Sequence, residues 1–189
     1  MTTRVDRAAL VRRAVVDLVA ENGIHGTSMS QVANRAGVAT GTAYVHYSSK
    51  TDLLIAAFAE IKAELAARVS AGLDVTGGPG ETFATSWRRV YDFLCDDPAQ
   101  ARFLTQIDDS PLRSQAHDAL PDDDPLIALA AAMSSHLVDL PLEIIYELGL
   151  APAVRLAAAG TVLDDDQIRQ VTDACWRAIG RAPFRGDRP

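Results

Sequence analysis

The 189-residue chain predicts an all-α protein made of two modules, and three observations carry that prediction. Apolar residues make up 48% of the chain, rich in alanine and leucine, with no alternating polar and apolar segment of the kind a half-buried strand needs. The apolar residues recur instead at helical spacing. The charges are divided unevenly. Up to Lys50 there are six cations (Arg4, Arg7, Arg12, Arg13, Arg35, Lys50) and three anions (Asp6, Asp17, Glu21), so the net −7 splits into +3 and −10. No carboxylate falls between Glu21 and Asp52, the composition of a surface that faces a polyanion.

Each element then follows in order. Residues 6–20 place Val11, Ala14, Val15 and Leu18 on one stripe, and the helix stops at Asn22-Gly23. Thr27 and Ser28 offer an N-cap to a short second helix in which Val32, Ala33 and Ala36 face inward, ended by Gly37 in the left-handed region. A third helix starts at Ala39 or Thr40, with the threonine hydroxyl as its expected cap, and runs to about Tyr47. Two helices joined through a glycine turn form a helix-turn-helix. Ser49 caps a longer helix from Lys50, striped by Leu53, Leu54, Ala57, Phe58, Ile61 and Leu65. The domain boundary is expected here, with residues 1–50 as the small module and 51–189 as the body.

The breaker Thr76-Gly-Gly-Pro-Gly80 separates the body's first helices. Further helices are expected over 81–94, 98–107, 125–139, 142–159 and 165–179. Asp97-Pro98 and Asp124-Pro125 each set an N-cap carboxylate before a proline suited to the first helical position. The acidic stretch 108–124 reads as a loop with one helical turn inside, and Gly149 and Pro152 predict a kink in the helix over 142–159.

With GTSMSQVANRAGVATGTAYVHYSSKTDLL in view, residues 8–55 resemble the DNA-binding domain of the tetracycline-repressor (TetR) family of transcriptional regulators. The resemblance implies a homodimer on a near-palindromic double-stranded DNA operator, released by a small-molecule effector. The residue chemistry agrees. Ala33 is small where two helices cross, Gly37 tolerates the turn, and Gly41 lets the backbone approach a sugar-phosphate strand. Tyr44, His46 and Lys50 are expected on phosphates, with Thr27 reaching the opposite strand. Base reading falls to Thr40, Thr42 and Val45, helped by Gln31 or Arg35 and by Arg4 or Arg7 from an arm. The third helix holds no arginine, lysine, asparagine or glutamine, so thymine methyls and DNA shape must contribute. Tyr47 is expected in the core. Ala43 and Val45 depart from the family pattern, which places a larger apolar residue at the first and a polar or aromatic one at the second.

In the body, Trp87, Tyr91, Phe103, Met133 and Tyr146 form the candidate lining of a largely apolar effector site. The last two helices are apolar on more than one face and are expected to form the two-fold interface. The fold without an effector, as an activator or general DNA binder, is the second reading. Catalysis is not expected: Asp108, Asp109 and Asp122 to Asp124 sit at helix ends beside prolines, and no nucleophile, base and orienting group converge. Cys95 and Cys175 lack metal-binding spacing, the histidines lack HxxxH, and no cofactor is expected. No apolar run is long enough to span a bilayer, so no membrane partner and a cytoplasmic location are expected.

Overall fold

A computed structural model describes residues 6–121 and 125–181, apart from the side chain of Ile127. Among the described residues the regular structure is helical, with one isolated bridge between Leu137 and Gly180. The described residues hold eleven α-helices in chain order: α1 (Arg7–Asn22), α2 (Met29–Arg35), α3 (Thr40–His46), α4 (Lys50–Ser70), α5 (Pro79–Asp96), α6 (Pro98–Asp108), α7 (Arg113–Asp118), α8 (Pro125–Met133), α9 (Leu142–Gly149), α10 (Ala151–Ala158) and α11 (Asp165–Ile179). A short 3-10 turn, Ser134–His136, follows α8.

The chain forms two compact units. The first holds residues up to Lys62 together with Arg102–Leu120, and the second holds Ala63–Ala101 with the remainder. Two of the three boundaries fall inside helices, α4 and α6, so the expected division at residue 50 is displaced. The first part of α4 and the end of α6 belong with the basic module.

In the first unit α1 packs on α2 and α3, and α2 on α3. The core is the α1 stripe Val11, Val15, Leu18 and Val19 with Met29, Val32 and Ala33 of α2, Ala43 of α3, and Leu53, Leu54, Ala57 and Phe58 of α4. Asp6 caps α1 by accepting from the N–H groups of Ala8 and Ala9 at 3.0 and 3.2 Å. Gly37 turns the chain at φ +67°, a region where a side chain is strained. Ser49 caps α4, accepting from Asp52 N–H at 3.0 Å.

The second unit is built on α5, which packs against α10 and α11. Its buried face carries Phe83, Trp87, Val90, Tyr91 and Leu94. Phe83 meets Trp176 of α11 with ring centroids 5.5 Å apart, and Trp87 stacks on Tyr91 at 5.6 Å. Asp164 caps α11 in a reciprocal box with Gln167. The helix expected over 142–159 is two helices that meet at Leu150. Gly149 serves close packing, since a Cβ there would stand 2.8 Å from Ile179 Cδ1, and Pro152 stands in the first turn of α10, where its missing N–H costs nothing. The helix expected to reach residue 139 ends at Met133, and α5 begins two residues earlier than expected, on Pro79. Asp97 accepts from Ala99 N–H at 3.2 Å as its spacing predicts, whereas Asp124 lies outside the described residues. No described helix is long and apolar enough to cross a membrane.

Candidate nucleic-acid interface

The seven residues of α3 divide cleanly by exposure. Ala43 is fully buried and holds the helix to the core; its small side chain fits the space beneath. Thr40, Gly41, Tyr44, Val45 and His46 are exposed, and Thr42 is half-buried. Val45 is 82% exposed and Tyr44 52%, an outward apolar and aromatic surface that contributes nothing to the core of its own unit. A Cβ on Gly41 would meet no atom of the chain within 4 Å. The fold itself therefore gives no packing reason for a residue that weakens a helix.

Three expected contacts need correction. Thr27 does not reach outward and does not cap α2. It is 3% exposed, and its hydroxyl donates to Gly23 O at 2.9 Å. The cap is Ser28, whose hydroxyl accepts from Gln31 N–H while Gln31 Oε1 accepts from Ser28 N–H, so Gln31 is also committed. The S-x-x-Q spacing of residues 28–31 is the signal that identifies this box. Thr40 does not cap α3; the N-cap residue is Ala39, which offers no side-chain bond.

Lys50 is partly spent inside the protein. Its ammonium donates to Ile24 O and Thr27 O, both at 2.9 Å, and so ties the first turn of α4 to the segment before α2. Arg35 forms a two-pronged ion pair with Glu21 at 2.9 and 2.7 Å, and Arg13 pairs with Asp17 at 2.8 Å. Arg7 is exposed, and Arg4 lies outside the described residues. Less of the basic excess is available to an anion than the composition implies.

Tyr47, the α3 C-cap residue, is half-buried and structural. Its hydroxyl accepts from Arg12 Nη1 at 2.7 Å and donates to Ala8 O at 3.5 Å. Arg12 also makes two bonds to Glu60 of α4, at 2.7 and 2.6 Å. The Glu60 bond holds the guanidinium more firmly protonated than usual, against the opposing pull of burial. One side chain thus pins α1, the end of α3 and α4 together, an arrangement of long sequence separation that no local spacing announces.

The expected ligand set is divided between the two compact units. Phe103 is fully buried in the first unit, whereas Trp87, Tyr91, Met133 and Tyr146 belong to the second. Tyr91 is 4% exposed and its hydroxyl is used structurally, donating to Thr161 O at 2.6 Å and accepting from Leu163 N–H at 2.9 Å. Burial, followed by the Cys95 thiol, pushes its pKa up. Met133 and Tyr146 are half-buried. Trp87 is fully buried, yet its indole N–H makes no well-formed hydrogen bond. Its neighbour Cys175 is a weak acceptor, a thiol pushed up by burial more than the indole pulls it down.

The family model for bacterial regulatory proteins, tetR family, matches residues 11–57, which span the helix-turn-helix. An uncharacterized HTH-type transcriptional regulator of Haemophilus influenzae is 26% identical over 184 residues, covering 93% of this chain and 97% of the relative. The crystal structure of a TetR-family transcriptional regulator from Haemophilus influenzae superposes with a TM-score of 0.74 at 25% identity, covering 96% of this chain and 100% of that one.

The chain carries a TetR-family DNA-binding domain over residues 11–57.

It is a transcriptional regulator with an N-terminal DNA-binding helix-turn-helix and a helical C-terminal domain. Bacillus subtilis fatty acid metabolism regulator protein is 32% identical over 95 residues, 50% of this chain and 48% of the relative. In TetR-family terms α2 and α3 are the helix-turn-helix.

Among the described residues, no group of three or more His, Cys, Asp or Glu side chains is placed to hold a metal ion. Cys95 is half-buried and Cys175 buried, both as free thiols.

Proposed function

We propose that this TetR-family protein is a repressor that binds a near-palindromic operator as a homodimer, with the two α3 helices in successive major grooves, and that a largely apolar small molecule releases it. One observation carries the DNA reading: the exposed face of α3 presents Tyr44 and Val45 outward, holds no Lys, Arg, Asp or Glu, and is free of any role in the core. Thr40, Thr42 and Val45 suit thymine methyls and groove shape, while Tyr44 and His46 suit phosphate oxygens. Lys50 adds local positive charge but is mainly a structural tie. Two α3 helices about 34 Å apart, one turn of duplex, set the half-site spacing.

The dimer reading rests on exposed apolar surface at Leu140, Leu142, Ile144 and Leu148, on and just before α9. The terminal helix α11 supports it less than its sequence implies, because Ile168, Thr172, Cys175, Trp176 and Ile179 are buried within its own unit. The effector reading rests on Trp87, whose buried indole N–H lacks a good acceptor that a ligand oxygen would supply. The fatty acid metabolism regulator among its relatives fits an apolar effector with one polar end.

A gel shift with a duplex carrying the gene's own upstream region tests the proposal. Binding by the wild type and its loss in Val45→Glu are expected, since a carboxylate would enter an anionic groove. Unchanged binding by Val45→Glu would remove α3 as the reading element.

A further inference from the structure

The segment between α1 and α2 is held by hydrogen bonds from three helices, and one of its anchors lies far away in sequence. Gln106, near the end of α6, donates from Nε2 to Val19 O at 2.8 Å and accepts at Oε1 from Ile24 N–H at 3.1 Å. Both ends of the amide are therefore used, and the neighbours fix which end is which: a carbonyl needs the N–H, and an amide N–H needs the oxygen. Val19 O is one of the last carbonyls of α1 and also accepts from Gly23 N–H at 2.9 Å. From the other side Lys50 grips Ile24 O and Thr27 O, and Thr27 grips Gly23 O. Ser28, the next residue, caps α2.

The consequence is geometric. Residues 23–28 are the only covalent link from α1 to α2, and their placement sets where α2, and then α3, begin. Lys50 is part of the small module by sequence, and Gln106 is not. The end of α6 lies in the same compact unit as α1–α3, so a residue remote in sequence completes the hydrogen bonds of the segment before α2.

We propose that Gln106 is a positioning residue for DNA recognition: by bridging Val19 O and Ile24 N–H it holds the α1–α2 segment, and through it α3, in the arrangement that fits the operator. This rests on the DNA-binding reading above. Gln106 touches no DNA; it acts through Ile24 and the cap of α2.

The test uses two substitutions and pH. Gln106→Leu removes both bonds at every pH. Gln106→Glu keeps an acceptor for Ile24 N–H, but as a carboxylate it sets oxygen against Val19 O. Once protonated it has a donor and an acceptor, as the amide does. Operator affinity is read by fluorescence anisotropy with the upstream duplex and expressed relative to the wild type at the same pH. Gln106→Leu is expected to bind about tenfold more weakly throughout, the equivalent of losing one to two hydrogen bonds. Gln106→Glu is expected to match it at about pH 8 and to recover toward wild type at about pH 5, where a carboxyl facing a carbonyl takes up its proton. Wild-type affinity in both variants at both pH values overturns the proposal. So does a Gln106→Glu variant that stays weak at low pH, which reduces the residue to bulk packing. A wild type that binds no duplex overturns the DNA reading itself, a result visible without either variant.

Discussion

Replacing Gly41 by alanine separates what the fold needs from what the DNA needs, because the two respond with opposite signs. Gly41 is the second residue of α3, and a Cβ there meets nothing of the chain within 4 Å. Inside the protein the change is a gain. Alanine is favoured over glycine by about 0.8–1.0 kcal/mol in a helix interior, and about half of that is expected in a first turn. For a chain of this size about 0.5 kcal/mol corresponds to a rise in melting temperature of about 1–2 °C. At the interface it is a loss, since the added methyl stands where the backbone of α3 is expected to approach the sugar-phosphate strand. A binding loss of about tenfold, about 1.4 kcal/mol, is expected. Thermal melting by circular dichroism and anisotropy titration with the upstream duplex read the two effects on the same preparation. A variant that melts higher and binds like the wild type would refute the close approach at Gly41. One that melts lower would refute the reading of its surroundings as open space.

Three other outcomes follow from the geometry. Thr27→Val keeps the shape but leaves Gly23 O without its hydroxyl donor, and a loss of about 1 kcal/mol in urea-induced unfolding is expected. In acid, Asp52 contributes through its bonds from Ser48 and Ser49, which hold its pKa below the ordinary 3.8. A group depressed in the folded state stabilises above its unfolded pKa and loses that effect as pH falls through the folded value. Asp52→Asn is therefore expected to flatten the stability loss below about pH 4 measured by urea titration at stepped pH, and equal slopes would exclude a contribution from the serine bonds to its carboxylate. A thiol reagent at about pH 8 is expected to label half-buried Cys95 in the native protein and Cys175 only in denaturant, because burial holds the Cys175 thiol protonated.

Local signals predicted the helices well where caps and breakers are written in adjacent residues. Gly37, Asp97-Pro98 and the whole of α11 fall where spacing places them, because each depends on neighbours within one turn. The misreadings share the opposite cause. Thr27 has the composition of a cap, but Ser28 wins because Gln31 completes a box with it. Lys50 reads as a phosphate ligand until two carbonyls more than twenty residues upstream take its donors. Arg12 with Tyr47 and Glu60, and Gln106 with Ile24, join residues far apart in sequence, and no periodicity encodes such pairs. The exposed face of α3 was legible because its burial pattern repeats with the helix; how much of the basic charge on α1, α2 and α4 is already paired was not.

The central claim, that α3 is the surface that meets DNA, is tested most directly by hydrogen–deuterium exchange of the wild type with and without the upstream duplex. Protection gained on binding is expected to concentrate in the segment from Gly37 to Lys50. Binding that leaves this segment unchanged while protecting another part of the chain would contradict it.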